Sequence, residues 1–519
     1  MKIRTGALLG IASAAVALAA AHLVAAFAGR ESSPVVAVGS ASIDLAPAWL
    51  KSFAIRSFGE QDKLVLLIGI AAVVAVIAVV LGTSSVERPT IGLGGIAALA
   101  LVGAMAALSR PAATTIAALP AILGAAAGSA AFLMLHRRLE PAGPADQADP
   151  GSGEGTGPVA GEPEPVGRRR FLVAGGVALG LAAATGVVGQ YLSRRRQADA
   201  SRSALRLPSP VSPSASASAG TDFGLDGLSA FYTPNDEFYR VDTALIVPSV
   251  PAEEWSLRVH GMVDRELTLD FGQLTARPLM ERDVTLACVS NEVGGSYVGN
   301  ARWVGVSLAD VLDEAGPDPA ATQLVSKSAD GFTAGTPVSA VTDGRDAMLA
   351  VAMNGEPLPI EHGFPVRMIV PGLYGYVSAT KWLVDLELTT FEAFDPYWIR
   401  RGWAERAPIK TQSRIDTPKQ MASVPAGEVT IAGVAWAQHR GIERVEVRVD
   451  DGEWREAELS TEATIDTWRQ WRLSVPLEAG SHRLEVRATD GEGEVQTADR
   501  AEPFPDGATG WHAIVIQVG

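Results

Sequence analysis

Cys288 is the single cysteine in 519 residues, so no intramolecular disulfide exists and the thiol has to be explained alone. It lies in Thr285-Leu-Ala-Cys-Val-Ser-Asn-Glu-Val-Gly-Gly295, where a β-type run passes into a glycine-rich loop, the kind of segment on which sites are built. Several chemistries are open to it. It can be a small buried hydrophobe. It can be a nucleophile, which requires a base and an orienting partner; His260 and His362 are the histidines of the same domain, and neither stands in a catalytic-cysteine signature. Zinc would need about three further ligands at close spacing, and the sequence has neither a second cysteine nor a His-x-x-His pair. The remaining chemistry is one soft thiolate on a metal whose other ligands come from an organic cofactor, with the protein contacting the cofactor's body.

The elements that would position this thiol fall in the second part of the chain. From Thr221 to about Ala393, β-type runs such as Ser256-Leu-Arg-Val-His260, Asp283-Val-Thr-Leu-Ala287 and Val366-Arg-Met-Ile-Val370 alternate with helical signals such as Ser307-Leu-Ala-Asp-Val-Leu-Asp-Glu314. That is an α+β pattern, and we expect a catalytic domain over 223–400. From about Gly427 the pattern changes to strands at short intervals: Val429 to Trp436, Arg444 to Asp450, Trp454 to Leu459, Arg469 to Val475 and Ser481 to Thr489. The turn signals Asp450-Asp-Gly452 and Asp490-Gly-Glu-Gly493 lie between them, and we expect an immunoglobulin-like β-sandwich over 401–519.

The first 200 residues are of another kind. Five apolar stretches are long enough to cross a bilayer, Gly6 to Ala28, Leu64 to Gly82, Ile91 to Leu108, Thr114 to Leu135 and Phe171 to Tyr191, and none has an internal charge. The expectation is a four-span region over 1–138, a Pro/Gly/acidic linker over 139–167, a fifth span within 168–196, and a Pro/Ser/Ala linker over 197–222 that lets the soluble part stand off the membrane. Spans without ionisable groups argue against transport and against a haem held by paired histidines, since His22 and His136 sit near span ends. Lys2 and Arg4 place the N-terminus inside, and His136-Arg137-Arg138 begins another cytoplasmic loop, so the fifth span leads outward. Arg194, Arg195, Arg196, Arg202 and Arg206 follow that span and by charge alone prefer the inside. Arg168-Arg-Arg-Phe-Leu172, which fits a twin-arginine export signal for folded passengers, resolves the conflict. The net charge of −15, without clustered Lys and Arg in the soluble part, excludes nucleic acid as a partner.

Five blocks together resemble the sulfite oxidase family of molybdopterin enzymes: Pro234-Asn-Asp-Glu-Phe-Tyr-Arg-Val-Asp-Thr243, Cys288-Val-Ser-Asn291, Ala301-Arg-Trp-Val-Gly305, Met353-Asn-Gly-Glu-Pro-Leu-Pro-Ile-Glu-His-Gly-Phe-Pro-Val-Arg367 and Pro371-Gly-Leu-Tyr-Gly-Tyr-Val-Ser-Ala-Thr-Lys-Trp382. The trailing strands resemble that family's dimerisation domain, so the resemblance covers about 300 residues. It implies a molybdenum-molybdopterin cofactor with Cys288 as its one protein thiolate, and catalytic roles for Cys288, Arg240 and Trp403. It further implies that His362 and Arg367 meet the pterin and its phosphate, that Arg240, Asp242 and Thr243 lie along its other side, and that Ser378 and Lys381 belong to the segment wrapping the phosphate end. Tyr239, Val241, Asn291, Asp330, Gly375 and Tyr376 complete the implied cofactor contacts. A guanidinium fork and an ammonium suit a phosphate dianion.

Two departures bear on the substrate. Sulfite oxidases continue after the cysteine with Asn-Arg-Arg, whereas Asn291 is followed here by Glu292-Val293. Where they carry an active-site tyrosine beyond a Trp-x-Arg-Arg run, this chain reads Trp398-Ile-Arg-Arg-Gly-Trp403. A site for anionic sulfite should gather cations, so a neutral S-oxide or other oxo acceptor, as in the family's bacterial reductase branch, stands beside sulfite as substrate. With no haem domain evident, electrons would pass to or from a separate carrier or the quinone pool. The expected whole is a multi-pass protein of the cytoplasmic membrane with its catalytic domain on the extracytoplasmic side, and a homodimer formed through the sandwich. The competing reading is a non-catalytic binding or adhesion protein on the same scaffold.

Overall fold

The computed structural model describes residues 2–28, 32–47, 62–110, 115–137, 195–214 and 220–519, with Leu50, Phe53 and Phe58 between them. The chain divides into two compact units, Met1–Ser193 and Arg194–Gly519. The expected fifth span at Phe171 to Tyr191, the Arg168–Leu172 motif and the acidic linker lie outside the described residues.

In the first unit four helices are long and apolar enough to cross a membrane: Arg4–Ala25, Val65–Ser84, Pro89–Leu108 and Thr115–His136. Five spans were expected, and four are described. A further helix, Pro34–Leu45, escapes a hydropathy reading because its 12 residues are too short to span. With no hydrophobic force between helices in lipid, close approach depends on small residues. The chain supplies them: a Cβ at Gly10 would lie 1.8 Å from the Ala78 carbonyl oxygen, and one at Gly82 would lie 2.2 Å from that of Gly6. Charge sits at the helix ends, where Arg110 pairs with Asp44 at 2.8 Å.

The second unit opens with two sheets. One orders Leu267–Asp270, Ser256–Gly261, Leu383–Thr389, Gln323–Ser328 and Thr333–Pro337; its Ser256–Gly261 and Leu383–Thr389 strands run parallel. The other orders Leu279–Ala287, Val298–Ser307, Met348–Met353 and Glu356–Pro357, with Arg367–Ile369 also paired to Met348–Met353. The helix Leu308–Ala315 buries Leu308, Val311, Leu312 and Ala315, the three-and-four spacing of one face. Ser307 caps its start by accepting the Asp310 N–H, and Gly316 ends it at φ 70°, where a side chain is disfavoured.

The remaining strands form two sheets around a second core that includes Ile431, Val445, Val447, Trp471, Leu484 and Ile516. One sheet orders Gln412–Thr417, Gly427–Trp436, Arg469–Leu477 and Glu458–Leu459; the other orders Ser423–Val424, His512–Val518, Gly480–Asp490, Ile442–Val449 and Arg455–Glu456. Gln412–Thr417 and His512–Val518 went unread in the sequence because long irregular stretches separate them from the regular run. The two halves of this unit are joined by buried hydrogen bonds. Gln438 Nε2 donates to the Thr285 carbonyl at 3.0 Å, the Trp468 amide donates to Thr285 Oγ1 at 2.7 Å, and Trp468 Nε1 donates to the Phe231 carbonyl at 2.9 Å.

The linker reading of 197–222 is corrected by the described part of that segment. Residues 195–204 are helical, and Ala198 is fully buried in the core of the catalytic half. Arg202 Nε donates to the Pro357 and Leu358 carbonyls at 3.1 and 2.9 Å, and the Val211 amide donates to Leu279 at 2.8 Å. The arginines that resembled topological flanks are thus partners of domain carboxylates, Arg202 of Glu356 and Arg195 of Glu361. Composition concealed this, because Pro, Ser and Ala suit an ordered strap as well as a loose tether.

Trp468 spans both halves, so Trp468→Ala should cost about 3–5 kcal/mol of stability, read by denaturant unfolding of the full-length protein. A loss below about 1 kcal/mol would mean that the two halves do not depend on this contact.

Candidate active site

Cys288 follows the last residue of the Leu279–Ala287 strand, and its amide donates to the Tyr297 carbonyl at 2.9 Å, closing a loop at the strand end. Asn291 shapes that loop from inside: its amide donates to the Cys288 carbonyl at 3.0 Å and its Oδ1 accepts the Tyr297 amide at 2.8 Å. A Cβ at Gly295 would lie 2.6 Å from this Oδ1, which is why the position is glycine. Cys288 is 9 % exposed and lines a cavity with Tyr239, Val241, Asp242, Thr243, Asp330, His362, Arg367, Gly375, Tyr376, Lys381 and Trp403. Eleven sequence-derived candidates therefore meet Cys288 on one wall.

Three do not. Arg240 is outside the lining, with its Nε on Asp242 Oδ2 at 3.0 Å. Asn291 is spent on its own loop. Ser378 is fully buried and its hydroxyl lies 2.9 and 3.0 Å from the Leu373 and Tyr374 carbonyls, shaping the turn behind the cavity. Sequence reading passed over Phe238, Val289, Ser290, Ser328, Phe332, Ala379, Trp382 and Trp398, which also line it. Phe332 had a signal, since Asp330 Oδ1 accepts the Phe332 amide at 3.2 Å and fixes the turn that Asp330-Gly-Phe implies.

The electrostatics are uneven. Arg367 is 5 % exposed; its Nη1 donates to the His362 carbonyl at 3.2 Å, its guanidinium lies 5.0 Å from the Trp303 ring centre, and its Nε has no partner among the described residues. Burial pulls its pKa down to about 10, a buried cation short of negative charge. Lys381 Nζ lies 3.0 Å from Asp242 Oδ2, the same oxygen that Arg240 uses, and burial pulls its pKa down to about 8 against that carboxylate. Lys381 and Arg240 thus share one carboxylate oxygen, while Arg367 has no carboxylate partner among the described residues. Burial pushes the Cys288 thiol up, opposed by hydrogen bonding from Ser290 and by the Lys381 ammonium. Burial, then the Arg367 charge, lower the His362 pKa to about 4. Its Nε2 lies 2.9 Å from the Asn235 carbonyl, which can only accept, so Nε2 carries the proton and Nδ1 is the ring's acceptor.

Other readings of the thiol fare poorly. His260 is engaged with Asp385 at 3.1 Å and is absent from the cavity lining. Among the described residues no group of three or more His, Cys, Asp or Glu is gathered to hold a metal ion. What the arrangement suits is an anionic organic group laid along basic residues with one thiol at its reacting end. The buried Arg367 Nε, unpartnered among the described residues, fits a phosphate-bearing cofactor, and a neutral imidazole whose Nδ1 is the acceptor fits a ring rich in N–H donors.

Comparison with known proteins gives this class a family. Residues 244–398 match the oxidoreductase molybdopterin binding domain, and residues 406–518 match the Mo-co oxidoreductase dimerisation domain. The chain is 31% identical to mitochondrial sulfite oxidase of Mus musculus over 56% of its length and 62% of the relative's. It is 31% identical to sulfite oxidase of Gallus gallus over 51% and 68%. An uncharacterized oxidoreductase of Bacillus subtilis, YuiH, is 35% identical over 30% of this chain and 74% of that protein. This chain belongs to the sulfite oxidase family of molybdopterin oxidoreductases. It spans about 62% of the length of the first of those relatives.

His362 and His512, the latter also pulled down to about 4 by burial, give a pH test. Both are held below the unfolded value of about 6.5, so the unfolded chain binds more protons between pH 6.5 and 4. Stability present above pH 6.5 should fall through that window, with a slope of about one proton per histidine. Denaturant unfolding against pH should flatten by about one proton in His512→Gln.

Proposed function

We propose that this chain is a membrane-anchored molybdopterin oxidoreductase with Cys288 as the one protein ligand to molybdenum, moving an oxygen atom and two electrons between water and a small substrate. The observation that carries the reading is the buried Arg367 guanidinium, with an unpartnered Nε, lining the same cavity as the sole thiol. Arg367 and Lys381 would hold the phosphate end, and His362, Tyr239, Asp242, Thr243, Asp330 and Gly375 the body of the cofactor. When bound, the molybdenum centre supplies oxygen-atom transfer coupled to a two-electron redox change. The chain's own residues orient that group, and the Asp242 carboxylate fixes Arg240 and Lys381 against each other at 3.0 Å each.

The lining left for a substrate is largely aromatic and aliphatic. Phe332, Tyr376, Trp398 and Trp403 are partly buried there beside the more exposed Val241, while the lining's Arg367 and Lys381 would be taken by the cofactor. Trp403 is backed by Phe504 of the C-terminal domain at 5.4 Å between ring centres and by Tyr376 at 5.9 Å. Such a wall favours a neutral S-oxide or N-oxide over sulfite, despite the activity named for the animal relatives. The four apolar helices support anchoring. Cytoplasmic charge at Lys2, Arg4 and His136-Arg137-Arg138, with the twin-arginine motif, supports a catalytic domain on the extracytoplasmic face of the inner membrane. Electrons would then go to or come from a separate carrier or the quinone pool, and the domain at 406–518 supports a homodimer.

Metal analysis of matured full-length protein should find one molybdenum per chain, and its absence rejects the reading. Cys288→Ser should abolish turnover while leaving the fold intact, and Arg367→Ala should lower cofactor retention by tenfold or more, about 1.4 kcal/mol or greater. Sulfite, sulfoxides and N-oxides assayed with a dye mediator should show turnover of the neutral oxides; sulfite oxidation alone would overturn the substrate assignment.

A further inference from the structure

The loop that carries Cys288 is held from the C-terminal domain as well as from its own. Arg414 is 9 % exposed, and each nitrogen of its guanidinium makes a hydrogen bond: Nη1 donates to the Gly295 carbonyl at 2.7 Å, Nη2 to Ser229 Oγ at 3.0 Å, and Nε to Asp416 Oδ1 at 2.7 Å. Asp416 is itself buried and accepts the Ser229 amide at 3.1 Å, so the guanidinium sits in a frame and does not hang from one bond. One residue earlier in the loop, Gly294 is at φ 77°, and a Cβ there would lie 2.2 Å from His512 Cδ2. The His512 ring lies directly on that backbone. Its Nδ1 accepts the Ile415 amide at 3.0 Å, which ties the ring to the strand carrying Arg414.

The two contacts fall on consecutive residues, and Gly295 is in turn tied to Asn291 and Glu292, three and four positions from the thiol. We propose that Arg414 and His512 are positioning residues for Cys288: from the domain at 406–518 they fix the loop 289–297 and keep the thiol at its place in the cavity wall. Neither touches the cavity, since neither lines it. The role rests on the assignment of Cys288 as the cofactor-bearing thiol, and it makes the C-terminal domain part of the site and not only an assembly module. A guanidinium with three fixed acceptors is not replaceable by an ammonium without loss, which gives the proposal its test.

Cys288 is the sole thiol, so alkylation by iodoacetamide reports on this loop alone. Full-length protein in detergent, produced in a host unable to make molybdopterin, is compared as wild type, Arg414→Met, Arg414→Lys and His512→Gln. Leu312→Ala, in the core helix, serves as a destabilised control. Local opening of the loop should raise the alkylation rate about tenfold in Arg414→Met and in His512→Gln, and Arg414→Lys should recover part of the protection. The proposal is overturned if the folded variants react within twofold of wild type, or if Leu312→Ala at matched thermal midpoint reacts as fast as they do. If Arg414→Met does not fold, Arg414→Lys and His512→Gln carry the same two outcomes. Molybdenum retained by Cys288→Ser in a cofactor-competent host would defeat the ligand assignment instead, and leaves the alkylation result to stand or fall separately.

Discussion

A buried guanidinium with no carboxylate partner among the described residues, that of Arg367, is the constraint on which the catalytic half depends. Arg367 sits 5 % exposed with its Nε unpartnered among the described residues, and Lys381 and Arg240 divide one Asp242 oxygen between them. A chain does not hold an uncompensated guanidinium out of water without a reason, because desolvating it costs several kcal/mol. Arg367 lies on the short Arg367–Ile369 strand paired to Met348–Met353, and Lys381 is three residues past the short helix Gly375–Ser378; both side chains are largely buried. The fold therefore stores a demand for an anion at one place, and the only thiol opens onto that place.

The second dependency runs between the halves of the same unit. Thr285, three residues before Cys288, is bonded on several sides: its amide to Asp466, its carbonyl to Gln438, and its hydroxyl to the Trp468 amide and to Asn300. The strand that delivers the thiol is thus fastened to the C-terminal domain, and the loop beyond it meets Arg414 and His512. Buried polar networks of this type rigidify when every member is satisfied. The α+β pattern and the β-rich pattern, separate in the sequence, are joined by buried hydrogen bonds at the strand that carries the thiol.

Legibility followed the range of the interaction. The helix Leu308–Ala315 and strands such as Gly427–Trp436 were readable because apolar spacing and turn residues act within a few positions. The set of residues lining the cavity was readable only through a family resemblance, since Tyr239, Cys288, His362 and Lys381 come from four separate segments. Residues 197–214 were misread as tether for a related reason: nothing local distinguishes Arg202 facing water from Arg202 clasping Glu356 and two carbonyls. Asn291 and Ser378 were expected to contact the cofactor, yet they do not line the cavity, and their hydrogen bonds go to the backbone beside them.

By itself the sequence determined that the chain joins an apolar helical part to a soluble part and that one thiol stands at a strand end, because these follow from composition and short-range spacing; the molybdopterin reading came from the resemblance to a family. Only the tertiary structure decided which cations lack counter-charges, which candidate side chains reach the cavity, and that the C-terminal domain grips the Cys288 loop. Those are properties of groups more than a hundred residues apart, Arg414 and Gly295 among them. No local pattern encodes such a meeting; it arises when two separately folded sheets come to share buried hydrogen bonds.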